Sequence, residues 1–308
     1  MLAAAFTFAL LAQEPAQEPT QAPATPAPVV NPLQLAIGRE GQTVAVPGRI
    51  TNLSTGTGIL PEDVAAACDG KRFLFLGEQH ATTPHQMMQA AIIDACVRRG
   101  RRVVVGLEMF QRPKQNVLGA FPALAETEFL QRSEWDKQWG FDYSFYRPVF
   151  DVARKHHLPL VALNIPRDWV RTVGRGGMSA LPPEAKAELP TDMVLDNAQH
   201  RQVFTSLIGG HQGTGGSIDN MYAAQVLWDE AMADTAVRFL RYPKPSANTL
   251  FVVIAGSGHV MYNQGINWRL QRRKAGDGPT VVMTESSEPI TVSNGLADFV
   301  FVSPKPRG

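Results

Sequence analysis

A chain of 308 residues with 44% hydrophobic and 19% charged residues has the composition of a globular protein with a full core. Its net charge of +1 provides no strong field, so electrostatic binding of nucleic acid or of an acidic membrane surface is not expected. Two cysteines, Cys68 and Cys96, are too few for a disulfide scaffold and lack the neighbours of a metal site; they read as small core residues that an oxidising compartment would allow to pair.

The amino end has two parts. Leu2 to Ala12 is an apolar run, well short of the ~20 residues that span a bilayer. It matches the hydrophobic region of a secretory signal, with Ala12 as a cleavage edge. Residues 13–36 are rich in Pro, Gln, Ala and Thr and are expected to form an extended, disordered tether. Together these features predict an exported, periplasmic protein whose single folded domain runs from 37 to 308. No cysteine directly follows the apolar run, so a lipid anchor in the membrane is not expected.

Gly41 to Ile50 alternates weakly and predicts a short strand or hairpin. Leu60 to Cys68 predicts a short helix with Pro61 in its first turn. Phe73 to Leu76 is a compact apolar run closed by Gly77. Thr83-Pro84 then opens a helix that Gly100 stops. Val103 to Leu107 is a second run, and Lys114 to Phe121 reads as helix. Trp135 to Tyr146 is dense in aromatic residues, and Pro148 falls in the first turn of a helix from about Tyr146 to His157. Leu160 to Leu163 is a third run. A long helix covers Ile218 to Arg241, with Met221, Ala224, Trp228, Met232, Ala236 and Phe239 on one stripe. Leu250 to Ala255 is a fourth run, followed by a Gly-rich turn and a helix over Ile266 to Arg273. Val281 to Met283 and Phe299 to Val302 are late strands.

Continuous apolar strands separated by helices predict an α/β fold. The expected architecture is a mostly parallel β-sheet with helices on both faces, plus a helical, aromatic-rich insertion. Right-handed crossovers place the strand-to-helix loops on one edge, where open sheets bind ligands. The residues after the runs therefore define the candidate site. They are Gly77-Glu78-Gln79-His80, Gly106-Leu107-Glu108 and Gly256-Ser257-Gly258-His259. Glu78, His80, Glu108 and His259 can act as a general acid–base set, or hold a divalent metal such as Zn or Mn. His85 and Gln89 form an outer ring, with Gln225 and Asp229 on the long helix. His156 and His157 read as helix-terminal residues. His200 and His211 fall in or near a Gly-rich stretch. The aromatic insertion provides a wall for an apolar ligand, and Tyr143 and Tyr146 are candidate haem-iron ligands, with Tyr222 and Tyr262 as competitors.

The segments FLGEQHATTPHQMMQ, VVVGLEMFQRPKQ, WGFDYSFYRPVFDVA, LVALNIPRD, YAAQVLWDEAMA and VVIAGSGHVMYNQGI occur in this order over roughly Lys71 to Ile266. In this ordered set the chain resembles the ChaN-type haem-binding uptake family, within the group that also holds Tiki proteases and erythromycin esterases. The resemblance implies an α/β fold with the paired Gly-x-x-His motifs at its site. It also implies haem as cofactor, through tyrosine ligation in a homodimer, with Tyr143, Tyr146 and His85 as the nearest candidates for contact. The wider group implies an alternative, metal-dependent hydrolysis of a peptide or ester bond through Glu78, His80, Glu108 and His259.

Overall fold

The apolar runs become the middle of a sheet because each is long enough to cross the core and too continuous to leave a face in water. The computed structural model describes residues 30–209, 217–241 and 246–305. In chain order its elements are β1 (Gln42–Ala45), β2 (Ile50–Asn52), β3 (Gly58–Ile59), α1 (Pro61–Ala67), β4 (Phe73–Glu78), α2 (Thr83–Arg98), β5 (Arg102–Gln111), α3 (Gln115–Ala120), α4 (Glu126–Ser133), α5 (Trp135–Gln138), α6 (Tyr143–Lys155), β6 (Leu160–Asn164), α7 (Arg167–Gly176), α8 (Pro183–Glu188), α9 (Ala198–Leu207), α10 (Ile218–Phe239), β7 (Thr249–Gly256), α11 (Ile266–Arg272), β8 (Thr280–Glu285), β9 (Ile290–Ser293) and β10 (Phe299–Ser303).

Eight strands form the main sheet in the order β3-β2-β10-β8-β4-β7-β5-β6. The run from β10 to β6 is parallel throughout, and β2 and β3 extend one edge antiparallel. The mostly parallel α/β fold is as expected. The chain steps from β4 outward to β5 and β6, returns to β7 beside β4, and then builds β8 and β10 on the other side. The carboxyl ends of β4, β7 and β5 flank this reversal, the place where such sheets bind ligands.

Alternation along the strands sorts the core into two faces. Leu74, Leu76, Val105, Leu107, Val252 and Ile254 pack under α1, α2 and the α3–α6 insertion, with Ile92, Ile93, Phe121, Phe129 and Phe150. Phe73, Phe75, Val104, Leu163, Phe251 and Val253 face Met232, Ala233 and Ala236 of α10 and Ile266 and Leu270 of α11. Gly106 is a close-packed position: a Cβ there would sit 2.6 Å from the Phe251 ring and 3.0 Å from Leu163. Cys68 and Cys96 are buried and unbonded in the first of these two cores.

Several elements differ from expectation. Gly41 to Ile50 takes the strand alternative and not the hairpin: β1 pairs with β9, and β2 joins the main sheet. β5 runs on to Gln111 because Met109 and Phe110 are buried in the insertion's core, and its pairing with β6 shifts register after Leu107. α6 starts at Tyr143, capped by the Asp142 side chain accepting from the Ser144 N–H at 2.7 Å, so Pro148 lies inside the helix. The helices α7, α8 and α9 carry short apolar stripes and were not anticipated. The signal-like run and most of the tether, residues 1–29, lie outside the described residues.

The last residues assigned to the tether pack against the domain. Leu35 is 2% exposed and lies in the core beside α11. The Tyr262 hydroxyl accepts from the Leu35 N–H at 2.8 Å and donates to the Pro32 carbonyl at 2.9 Å. The ordered body therefore begins several residues before Ile37. Leu35→Ala is expected to cost about 2–5 kcal/mol of unfolding free energy, the range for emptying a buried leucine site. Urea unfolding measures this, and a loss below about 0.5 kcal/mol, the size of a surface substitution, would place Leu35 outside the core.

Candidate functional site

Register fixes the floor of the site. Glu78 lies opposite Gly256, and Leu107 opposite Ile254, so Glu108 comes level with the end of β7. The Glu108 Oε2 atom accepts the Gly256 N–H at 2.6 Å. The pleat then separates the two carboxylates. Glu78 shares the face of Leu74 and Leu76, under α2 and α6. Glu108 shares the face of Val104, toward α10.

Glu78 is 3% exposed. Its Oε2 accepts from Gln86 Nε2 at 2.8 Å and Gln89 Nε2 at 2.9 Å, both on α2. Its Oε1 accepts from the Tyr146 hydroxyl at 3.1 Å and lies 3.0 Å from His80 Nδ1. The carboxylate is thus saturated by four partners and anchors His80. The His80 ring stands edge-on to Trp139 at 4.7 Å, with Phe141 at 5.9 Å. It also lies against Gly256, where a Cβ would come 3.1 Å from His80 Cε1. Burial disfavours the charged ring, but the bond to Glu78 and the charges of Glu108 and Glu78 outweigh it and raise the His80 pKa.

On the other face, His259 is held between two acids. Its Nδ1 lies 2.5 Å from Asp229 Oδ1 and its Nε2 lies 3.4 Å from Glu108 Oε1. Burial opposes protonation, yet the charges of Glu108 and Asp229 push the His259 pKa up to about 10. Burial would raise the Glu108 carboxyl, but the charge and hydrogen bond of His259, the charge of His80 and the Gly256 N–H hold it at about 2. Asp229 is also buried, and despite burial the charges of His259 and Arg269 and the bond to His200 keep it well below the usual carboxylate range. Behind it, His200 Nε2 lies 2.9 Å from Asp229 Oδ2, and His200 Nδ1 lies 3.1 Å from the Tyr222 hydroxyl.

The four expected residues are thus at one sheet end but form two separate pairs, Glu78–His80 and Glu108–His259. Among the described residues no group of three or more His, Cys, Asp or Glu side chains is disposed to hold a metal ion. The expected Zn or Mn site is not seen among them: each acid is taken up by its own imidazole, although both rings lie around Gly256. His85 is buried, with Nδ1 accepting the Gln79 N–H at 3.1 Å and Nε2 at 3.3 Å from the Thr284 carbonyl and 3.0 Å from Ser303 Oγ. Both ring nitrogens are taken, and burial lowers its pKa, so it serves as a neutral brace. Tyr146 is bonded to Glu78 and accepts from the Ala81 N–H at 3.1 Å. Tyr143 is packed among Phe129, Trp135 and Phe150. Burial, joined by nearby carboxylates, pushes both phenols up and away from the phenolate form. Tyr222 and Tyr262 have their hydroxyls bonded within the protein. His211 lies outside the described residues, and His156 binds Asp94 at 2.7 Å at the end of α6.

The sequence leaves Asp229 either facing the site from α10 or edging its apolar stripe, and His200 in or near a Gly-rich stretch. Asp229 faces the site and orients His259, and His200 sits on α9, a helix whose cap, Asn197 accepting from the His200 N–H at 3.0 Å, is the local signal. Over this floor the carboxyl edge opens into a cavity of about 490 Å³, lined by Glu78, His80, Gln225 and His259 and by apolar Pro32, Leu33, Leu207, Met261 and Val282. Another groove, of about 560 Å³, borders β8 and β10, but its charges are already paired as Arg39–Asp298 and Lys71–Asp277.

The ion chain makes a prediction about stability. In the unfolded chain His259 loses its proton near 6.5. In the folded protein it does so near 10. Its contribution is complete below about 6.5 and is lost as pH rises toward 10. Unfolding free energy by urea should therefore fall over that window. Asp229→Asn should lower stability at pH 6 by roughly 3–5 kcal/mol, because it leaves His259 half-compensated, and should flatten the pH slope. Equal wild-type stability at pH 6 and pH 9 would contradict the pairing.

A family model described as haem-binding uptake, Tiki superfamily, ChaN matches residues 64–270. The structure of ChaN of Campylobacter jejuni, described as showing cofacial heme binding, is similar with a TM-score of 0.63 at 20% identity, covering 82% of this chain and 95% of that one. An erythromycin esterase mutant, EreC, in its open conformation gives a TM-score of 0.46 at 14% identity over 78% of this chain and 77% of that one. RRSP, a MARTX toxin effector domain from Vibrio vulnificus, gives 0.43 at 19% identity over 79% of this chain and 39% of that one. No curated protein matches the sequence significantly. The ChaN likeness is one of fold, and the family model spans well over half of the 308 residues: the chain belongs to the ChaN haem-binding uptake family of the Tiki superfamily.

Proposed function

We propose that this protein binds haem as cargo at the His80 side of the cavity. Membership of a family described as haem-binding uptake supports the ligand class. The observation that carries the reading is His80. Its Nδ1 is held by Glu78, its side chain is 32% exposed, and its Nε2 has no hydrogen-bond partner among the described residues. A carboxylate on one ring nitrogen fixes the tautomer and aims the other, which is how proteins prepare a histidine to ligate a metal. Trp139 and Phe141 put aromatic surface beside the His80 ring, suited to a flat macrocycle. The buried, protonated tyrosines suit an axial role less well. The apolar run and Pro-rich segment at the amino end support export to the periplasm and a part in haem or iron uptake, with a homodimer as the assembled form. No helix among the described residues is long and apolar enough to cross a membrane.

A second reading, acid–base hydrolysis of an ester or peptide, is favoured by the Asp229–His259–Glu108 array, which haem binding does not require. With its pKa near 10, His259 is a fixed cation at neutral pH rather than a base. In this reading His80 would take the proton through Nε2, oriented by Glu78, and the His259 imidazolium would stabilise developing negative charge. An activated aryl ester tests it: turnover should fall at least ~100-fold in His80→Ala, in line with removal of a general base. Turnover that persists in this variant would reject it.

A haem titration followed by visible absorbance tests the main reading. Saturable binding near one haem per chain is expected. His80→Ala should weaken it about tenfold or more, roughly 1.4 kcal/mol, and move the Soret band. Tyr143→Phe should leave the band in place. Absence of saturable binding, or unchanged binding and spectrum in His80→Ala, would overturn it.

A further inference from the structure

Arg167 is the first residue of α7, immediately beyond the turn that follows β6. That turn is tied to the site, since the Asn164 side chain donates to the Glu108 carbonyl at 3.1 Å. The Arg167 guanidinium lies 5.8 Å from the centre of the Trp139 ring, and Nη2 donates to the Trp139 carbonyl at 3.3 Å. The same indole carries the His80 ring on its edge at 4.7 Å. Arg167 and His80 are therefore joined through one aromatic side chain at the carboxyl end of the sheet.

This cation has no ion-pair partner among the described residues. Arg112, Arg171 and Arg269 are each ion-paired, with Asp234, with Asp168, and with Asp229 and Glu230, while Arg101 and Arg154 lack an ion pair but spend their donors on backbone carbonyls. Arg167 is partly buried and donates one hydrogen bond out of five available N–H groups. Glu108 is near enough to influence its charge, but both Glu108 oxygens are engaged by Gly256 and His259. Helix geometry does not account for it either, because a cation at a helix N-terminus opposes the dipole. A partly buried guanidinium with free donors, against the indole that also carries the proposed ligand residue, is suited to an anion from outside the chain.

We propose that Arg167 binds a carboxylate of the ligand held at His80. The inference rests on the haem reading, in which that carboxylate is a propionate. Arginine suits the task because its planar fork can meet both carboxylate oxygens.

The test is a set of equilibrium titrations of the full chain with haem and with haem dimethyl ester, which lacks the free carboxylates. Wild type should bind haem more tightly than the ester. Arg167→Gln should lose about ten- to hundredfold in haem affinity, the worth of a charge-assisted hydrogen bond, while keeping the Soret position and binding the ester as wild type does. Arg167→Lys should recover part of the loss. Wild type that binds haem and its ester equally well overturns the proposal without any variant being made. So does Arg167→Gln that binds haem as wild type does. Both results leave the haem reading in place, whereas failure of wild type to bind haem at all removes both.

Discussion

Two carboxylates buried at the same end of a parallel sheet must each be compensated, and the pleat allows them no shared solution. Glu78 is directed to one face and Glu108 to the other, so each recruits partners from the helices on its own side. Glu78 takes neutral donors from α2 and α6: two glutamine amides and a phenol. Glu108 takes a backbone N–H and an imidazolium, and the imidazolium in turn demands Asp229 from α10. One half of the site is a hydrogen-bonded cradle. The other is a line of alternating charge that continues through Asp229 to Arg269.

The glycines of the two Gly-x-x-His segments follow from that division. Gly256 is the shared floor: its N–H satisfies Glu108 and its bare Cα lets the His80 ring lie close, where any side chain would crowd it. Gly77 is hemmed by Ser257 and Val260, with a Cβ falling 2.6 Å from Val260 Cγ2. Each motif thus clears space for the other. The repeated glycine–histidine spacing reflects mutual packing at adjacent strand ends as much as chemistry.

The sheet, its principal helices and the identity of the four polar residues were legible because they depend on local pattern: continuous apolar runs, a helical stripe on α10, and glycines at the strand ends. The grouping of those residues was not. Whether Glu78 and Glu108 share a face depends on register through β7, which arrives about 140 residues after the Glu108 strand, and nothing local encodes it. The same holds for Tyr146, whose place in an aromatic-dense segment is plain in the sequence but whose long-range bond with Glu78 is not. His85 reads as an outer-ring residue because it stands with Gln89 near the start of the helix that follows the first strand end, but α2 turns it inward, onto β8 and β10. The short helices α7 to α9 were missed for a different reason: Val170, Val173 and Ala185 make stripes too brief to stand out from loop composition.

The His85 brace has a consequence for the order in which the molecule can be completed. One ring nitrogen holds the backbone of Gln79, inside the first Gly-x-x-His segment, and the other reaches Ser303 in the last strand. A chain emerging from its amino end can form β4 and α2 early, since their contacts are short-range. The loop that carries His80 gains its final support only once Ser303, 218 residues beyond His85, has been made. Until then the segment that meets the cavity lacks its inner fastening, so competence of the site coincides with arrival of β10 rather than with formation of the residues that line it.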